Sequence, residues 1–234
     1  MKEVCETYHA AAENESQGTH TVSIDEKTGI QALEREAPTK PMIPGHVEKR
    51  EYNYERHGTT CLFGNLNVAT GEVIAPMLNA TRNEADFAKN IENIIATAPD
   101  AGWVFVLDNL NTHMSETLVR LIAKTLGITD DLGEKEKHGI LKSMASRKAF
   151  LKDKTHRIRF VYTPKHCSWL NQIENWFSGL VRRVLNRGSF QSTKDLKTKI
   201  LHYVEFYNQT AKPMKWKFRP NKMENLNSSY LKTI

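Results

Sequence analysis

The chain has no run of eighteen apolar residues, so no segment reads as a membrane-spanning helix. It also lacks an apolar stretch near its start. There MKEVCETYHAAAENESQG is polar and acidic, which excludes a signal peptide. Only three cysteines occur, Cys5, Cys61 and Cys167, far apart in sequence. An odd, sparse set argues against a disulfide framework and fits a reducing cytoplasm. Internal repeats and low-complexity tracts are missing too. What is present is 234 residues, 39% of them hydrophobic, enough for one large domain or one domain with an appendage.

The formal net charge is +6. Its distribution says more than its size. Between Ser178 and Lys222 eleven basic residues, among them Arg182, Arg183, Arg187, Lys215 and Lys217, stand against Asp195 and Glu205. That local balance of +9 leaves the rest of the chain at −3. Such a stretch is either a solvated helical face or a surface that attracts phosphate backbones.

Residues 1–20 read as a weak helix or a frayed lead-in. Thr21 to Asp25 (TVSID) alternates polar and apolar and reads as a strand ending at Asp25. Residues 27–57, punctuated by Pro38, Pro41, Pro44 and Gly45, read as irregular. Thr59–Val68 and Glu72–Leu78 flank an Ala-Thr-Gly turn and read as a hairpin. Asn83–Ala96 carries apolar residues at helical spacing. Trp103–Leu107 (WVFVL) is a continuous apolar run, the pattern of a strand buried on both faces, and it ends at Asp108. Ser115 is a plausible N-cap for a helix to Leu126. Residues 127–156 are charged and look inserted, with Ile140, Leu141, Met144 and Leu151 suggesting a short amphipathic helix. Arg157–Tyr162 reads as a strand, and Leu170–Asn186 and Thr193–Asn208 as helices. The order predicts an α/β fold, a mixed sheet with helices on its faces, over residues 21–210, with a basic tail at 211–234.

Asp25 and Asp108 therefore stand at strand ends, where mixed sheets bind ligands. Either one alone is more simply a turn or capping residue. Glu174 adds weight. At about 100° per residue from Leu170, it falls at about 40°, inside the stripe of Ile173, Phe177, Leu180, Val181 and Val184. A carboxylate facing a core is costly unless it is paired or binds a metal, so it is either a buried ion pair or a ligand. Three converging carboxylates form a hard oxygen site suited to magnesium or manganese rather than zinc. Cys167 beside His166 has no second ligand pair at zinc spacing. Glycoside hydrolysis needs two carboxylates and no basic surface.

The runs TVSIDEKTG (Thr21–Gly29), WVFVLDNLNTH (Trp103–His113) and RIRFVYTPKHCSWLNQIENWF (Arg157–Phe177) resemble bacterial insertion-sequence transposases of the mariner-like DDE superfamily. YNQTAKPMKW (Tyr207–Trp216) is similar as well. The resemblance implies a ribonuclease-H-like fold, a five-stranded mixed sheet flanked by helices. It implies Asp25, Asp108 and Glu174 as catalytic residues and metal ligands, with two Mg2+ or Mn2+ ions. It also implies cleavage at transposon ends followed by strand transfer into target DNA, and a homodimer. Two departures stand out. Asp108 and Glu174 are 66 positions apart, further than in relatives, and residues 127–156 account for the excess. Only about twenty residues precede the first strand, too few for the helix-turn-helix domains such proteins carry. The sequence therefore also admits a truncated remnant that binds DNA or full-length subunits without cutting.

Several neighbours of the triad are candidates for support. His113 either contacts a phosphate, orients a carboxylate or caps a helix. Asn109 positions Asp108 or makes an Asx turn. Asn171, one turn before Glu174, buttresses it or simply begins the helix. Lys165 and His166, after Pro164, are the candidates for local phosphate contact. The basic residues of the inserted segment either grip DNA or line a solvated helix. Trp169 and Trp176 fall on one face by the same helical count, for packing or for stacking on bases.

Overall fold

The computed structural model describes residues 1–37, 40–49 and 51–218; Pro38, Arg219 and Lys222 lie outside them. One five-stranded sheet organises these residues, in the order β3-β2-β1-β4-β5. Its strands are β1 (Thr19–Arg35), β2 (Tyr54–Asn67), β3 (Met77–Asn79), β4 (Gly102–Leu107) and β5 (Ile158–Tyr162). β1 pairs antiparallel with β2, and β2 with β3, while β1, β4 and β5 run parallel. This is the ribonuclease-H-like mixed sheet that the motifs imply. Helices α1 (Lys2–Ser16), α2 (Glu84–Ile95), α3 (Glu116–Leu126), α4 (Met144–Leu151), α5 (Ile173–Leu180) and α6 (Thr193–Asn208) flank it. Among the described residues no helix is long and apolar enough to cross a membrane.

Strand pleating sorts the core into two faces. Val22, Ile24, Phe63, Trp103, Phe105 and Phe160 pack against α2, α3 and α4. Leu62 and Leu66 meet Ile173, Phe177 and Leu180 of α5 and Leu196, Ile200 and Val204 of α6. Of the two readings of the first twenty residues, the helix is found. It is not frayed: Val4, Cys5, Tyr8 and Ala11 are buried against Val104, Val106 and Val161. The inserted segment is likewise anchored, because Leu141 and Leu151 reach the first face and are fully buried. Ser115 caps α3 as expected, its side chain accepting from the Leu118 amide.

The stretch expected to be irregular begins and ends as strand, at residues 27–35 and 54–57. β1 continues past Asp25 to Arg35 on the register of β2, with irregularities between Lys27 and Ile30 and between Gln31 and Leu33. Gly29, at φ 63°, supplies the left-handed residue of the first irregularity. That kink interrupts the alternation which otherwise runs through Ile30 and Ala32. Asp25 therefore does not end its strand. Pairing with β4 does stop at Ser23↔Val106, so Asp25 still stands beyond the carboxyl end of the parallel pair.

Asp25 faces Gly64 across the antiparallel pair. Helix α5 sits directly on that glycine: a Cβ there would lie 2.6 Å from the Phe177 ring and 3.1 Å from Ile173 Cδ1. We expect Gly64→Ala to push α5 off the sheet and lower stability by about 1–3 kcal/mol, the usual range for overpacking. Denaturant unfolding measures this; an unchanged midpoint would mean that α5 does not need the close approach.

Candidate active site

Asp25 is fixed on both oxygens. Oδ1 accepts from the Glu26 amide at 2.8 Å, and Oδ2 accepts from Asn171 Nδ2 at 3.1 Å. The same Asn171 nitrogen donates to Ile24 O at 2.7 Å. Ser23 Oγ donates to Asn171 Oδ1 and accepts from the Ile173 amide. A buried polar lattice thus ties the start of α5 to β1, and Asn171 buttresses Asp25 rather than Glu174. Burial pushes the Asp25 carboxyl up to about 7, against the pull of the Glu26 amide, and repulsion from Glu174, Glu26 and Asp108 adds to the rise. Asp25 thus lies within the electrostatic reach of both other members of the acidic trio.

Asp108 follows β4 directly. Its Oδ1 accepts from the Leu110 amide at 2.9 Å, so Asp108 itself makes the Asx turn. It also lies 2.8 Å from His113 Nδ1, while His113 Nε2 lies 2.9 Å from Glu26 Oε1. Both ring nitrogens therefore face carboxylates, which requires the doubly protonated imidazolium. Burial pulls the His113 pKa down, but its bonds to Asp108 and Glu26 outweigh this and push it up to about 9. Burial likewise opposes ionisation of Asp108, but the bonds from His113 and Leu110 hold its carboxyl below the ordinary range. His113 is fully buried against Phe87, so it orients a carboxylate and cannot reach a phosphate from solvent.

Glu26 is the residue that sequence reasoning passed over. Successive strand residues point to opposite faces, so Asp25 turns toward α5 and Glu26 toward α2 and α3. The Asp-Glu doublet was a usable signal, since a buried Glu on the far face needs a cation.

Glu174 does not face the core. It is exposed, while Ile173, Trp176, Phe177 and Leu180 are buried. The reason is local. Residues 168–170 form a short 3-10 turn and α5 begins only at Ile173, so Leu170 is not part of its stripe, while Val181 and Val184 lie in a π-helical turn and are only half-buried; the true stripe is narrower. Counted from Ile173 at about 100° per residue, Glu174 lies on the flank of the apolar stripe, at its border with solvent. The same break separates the tryptophans: Trp176 is buried and Trp169 is half exposed.

Two open cavities reach Asp108 and Glu174, one each. One, of about 350 Å³, is lined by Asp108, Asn109, Thr163, Lys165, His166 and Ser168 among others. Another, of about 460 Å³, is lined by Lys27, Glu174, Phe177, Ser178, Val181 and Arg182. Lys165, His166, Arg182, Arg183, Arg187, Lys215 and Lys217 are all exposed. Of these, only Lys165, His166 and Arg182 line the two cavities. Arg182 and Arg183 lie in a π-helical turn, Val181–Leu185, that continues α5. Asn109 does not touch Asp108 through its side chain. It donates to Thr163 O and accepts from Lys148 Nζ.

The ligand atoms of the acidic trio are not drawn within 4.8 Å of one another. Among the described residues, the group that is so drawn is Glu34, Glu55 and His57, out on the β1–β2 arm.

The family model described as "DDE superfamily endonuclease" matches residues 20–197. Among solved structures the chain is similar to the catalytic domain of Mos1 mariner transposase, at 14% identity over 89% of this chain and 83% of that one, with TM-score 0.49. It is also similar to a Mos1 paired-end complex with the left transposon end, at 15% identity, 89% and 59% coverage and TM-score 0.35. A Mos1 mariner paired end complex with Mn matches at 17% identity, 88% and 59% coverage and TM-score 0.35. The chain thus spans 59% of the transposase chains in those two complexes. No curated protein matches it in sequence.

The His113 ion pairs set a pH signature. A raised histidine pKa contributes stability that is fully present below its unfolded value of about 6.5 and lost as pH rises through its folded value. That folded value is about 9. His113→Gln should therefore destabilise most between about pH 5 and 6.5, where the carboxylates are ionised, and progressively less up to about 9. Thermal melts across pH measure the gap between the two proteins; a gap that does not narrow above pH 7 would mean that His113 is neutral.

Proposed function

Since the chain belongs to the DDE superfamily endonuclease family, we propose that it is a transposase catalytic core that cuts DNA and transfers the strand, with Asp25, Asp108 and Glu174 as its metal-binding carboxylates. The observation that carries this reading is the placement of Asp25, held by Asn171 at the start of α5 and pushed up to about 7 by burial first, with repulsion from Glu174 and Asp108 adding to the rise. A buried carboxyl whose ionisation is opposed first by burial and then by other carboxylates belongs to a donor set short of positive charge. Hard, oxygen-only donors of this kind fit magnesium or manganese. Asp25, Asp108 and Glu174 would be the residues that hold such ions. When bound, such ions supply the Lewis acidity that activates a water or a 3′-hydroxyl and stabilises the leaving oxygen.

The chain's own residues do the rest. Asn171 holds Asp25 with an oxygen turned toward α5. His113 holds Asp108 in its ionised form. Lys165 and His166 beside Asp108, and Arg182 beside Glu174, offer positive charge to the DNA backbone on either side. The proposed partners are transposon ends and target DNA, and the motif resemblance extends the proposal to two copies of the chain. Arg183, Arg187, Lys215 and Lys217 would contact DNA further from the chemistry.

The test is magnesium-dependent nicking of duplex DNA. Glu174→Gln removes a ligand worth several kcal/mol in the transition state and should lower the rate by about three orders of magnitude or more. Nicking that survives the substitution would locate the chemistry elsewhere.

A further inference from the structure

The inserted segment carries seven lysines and arginines whose roles the sequence left open, and contacts sort four of them. Arg147 is a strut: Nε donates to Met114 O at 2.7 Å and one terminal nitrogen donates to Leu141 O at 2.9 Å. Lys137 pairs with Glu134 at 2.5 Å, and Lys152 with Glu3 at 3.0 Å. Lys148 differs. Its ammonium donates to Asn109 Oδ1 and lies 4.7 Å over the Tyr162 ring. Neither partner carries a negative charge.

Its place in the fold is specific. Asn109 follows Asp108, and both line the cavity that Lys165 also lines. Burial first, then repulsion from Lys152 and more weakly from Lys165, pulls the Lys148 pKa down, with Glu3 as the opposing charge. Lys165, from the loop after β5, lines that cavity directly, and Lys148, from α4, reaches its wall through the hydrogen bond to Asn109, beside a proposed catalytic carboxylate. Like charges held close are unfavourable unless an anion comes between them.

We propose that Lys148 is a substrate-positioning residue that binds a DNA backbone phosphate beside Asp108, so that the inserted segment forms part of the active-site wall. This rests on the DNA-cleaving reading above. The competing role is internal, the pinning of Asn109 alone, and a salt titration separates the two. Log affinity for duplex DNA falls with log salt by about 0.9 for each neutralised phosphate, so losing one contact weakens binding about eightfold near 0.1 M salt and hardly at all near 1 M.

The experiment measures binding of the full chain to a short fluorescent duplex, in chelator so that no cutting occurs, across a salt series. Lys148→Met should lower the slope by about one and weaken binding about eightfold near 0.1 M salt, and Lys148→Arg should restore both. Lys137→Met, which removes the same charge from a paired lysine on the same segment, should leave the slope unchanged. A Lys148→Met protein with the wild-type slope overturns the proposal, whether or not its melting temperature falls. Wild-type protein that fails to bind DNA at all overturns the nuclease reading and this one together. Wild-type binding with an unchanged variant slope overturns this one alone.

Discussion

Helix α5 can lie against β2 because Gly64 has no side chain, and the rest of the site follows from that approach. Gly64 is the cross-strand partner of Asp25, so the helix that seats Phe177 and Ile173 on the glycine also brings its first turn beside the aspartate. Ser23 and Asn171 then lock the join with buried hydrogen bonds on the same face as Asp25. Hydrophobic burial provides the seat, and the polar lattice fixes its rotation. Glu174 thereby sits at the border of the apolar stripe, where a carboxylate stays hydrated yet still acts on Asp25.

The opposite face of β1 does complementary work. Glu26 points away from α5 and, with Asp108, encloses the His113 imidazolium. A buried cation between two carboxylates is stable only if all three members stay in place, since removing one leaves an uncompensated charge. The pair therefore couples the α2–α3 core to the loop that carries Asp108. Asp25 is left free of such a cation, and the two aspartates separate accordingly: one is pushed up, the other is held down. Adjacent carboxyls with divergent ionisation are a common mark of a working site.

Much of this was legible in the sequence. The apolar run of β4, the Ser115 cap and the helical spacing of α2 and α6 follow from local periodicity and led to the right sheet. The motifs led to the family. What stayed hidden depended on breaks in periodicity. The irregularity at Gly29 concealed the second half of β1, and three nearby prolines made the arm look like a loop. The 3-10 turn before α5 falsely put Trp169 beside Trp176, and counting Leu170, Val181 and Val184 into the apolar stripe widened it until it enclosed Glu174. Glu26 stayed hidden for another reason: its importance lies in a contact with His113, 87 positions away in sequence. No local pattern encodes such a pairing. In the inserted segment the spacing of Ile140, Leu141, Met144 and Leu151 pointed to a short amphipathic helix, which is found, but not to the sheet face on which Leu141 and Leu151 are buried.

The central claim is that Asp25, Asp108 and Glu174 form one metal site. The most direct measurement is an anomalous-scattering map from crystals soaked in Mn2+. The account predicts two peaks about 3.5–4 Å apart, held by Asp25, Asp108 and Glu174. Peaks confined to Glu34, Glu55 and His57, or a Glu174 turned away from bound metal, would contradict it.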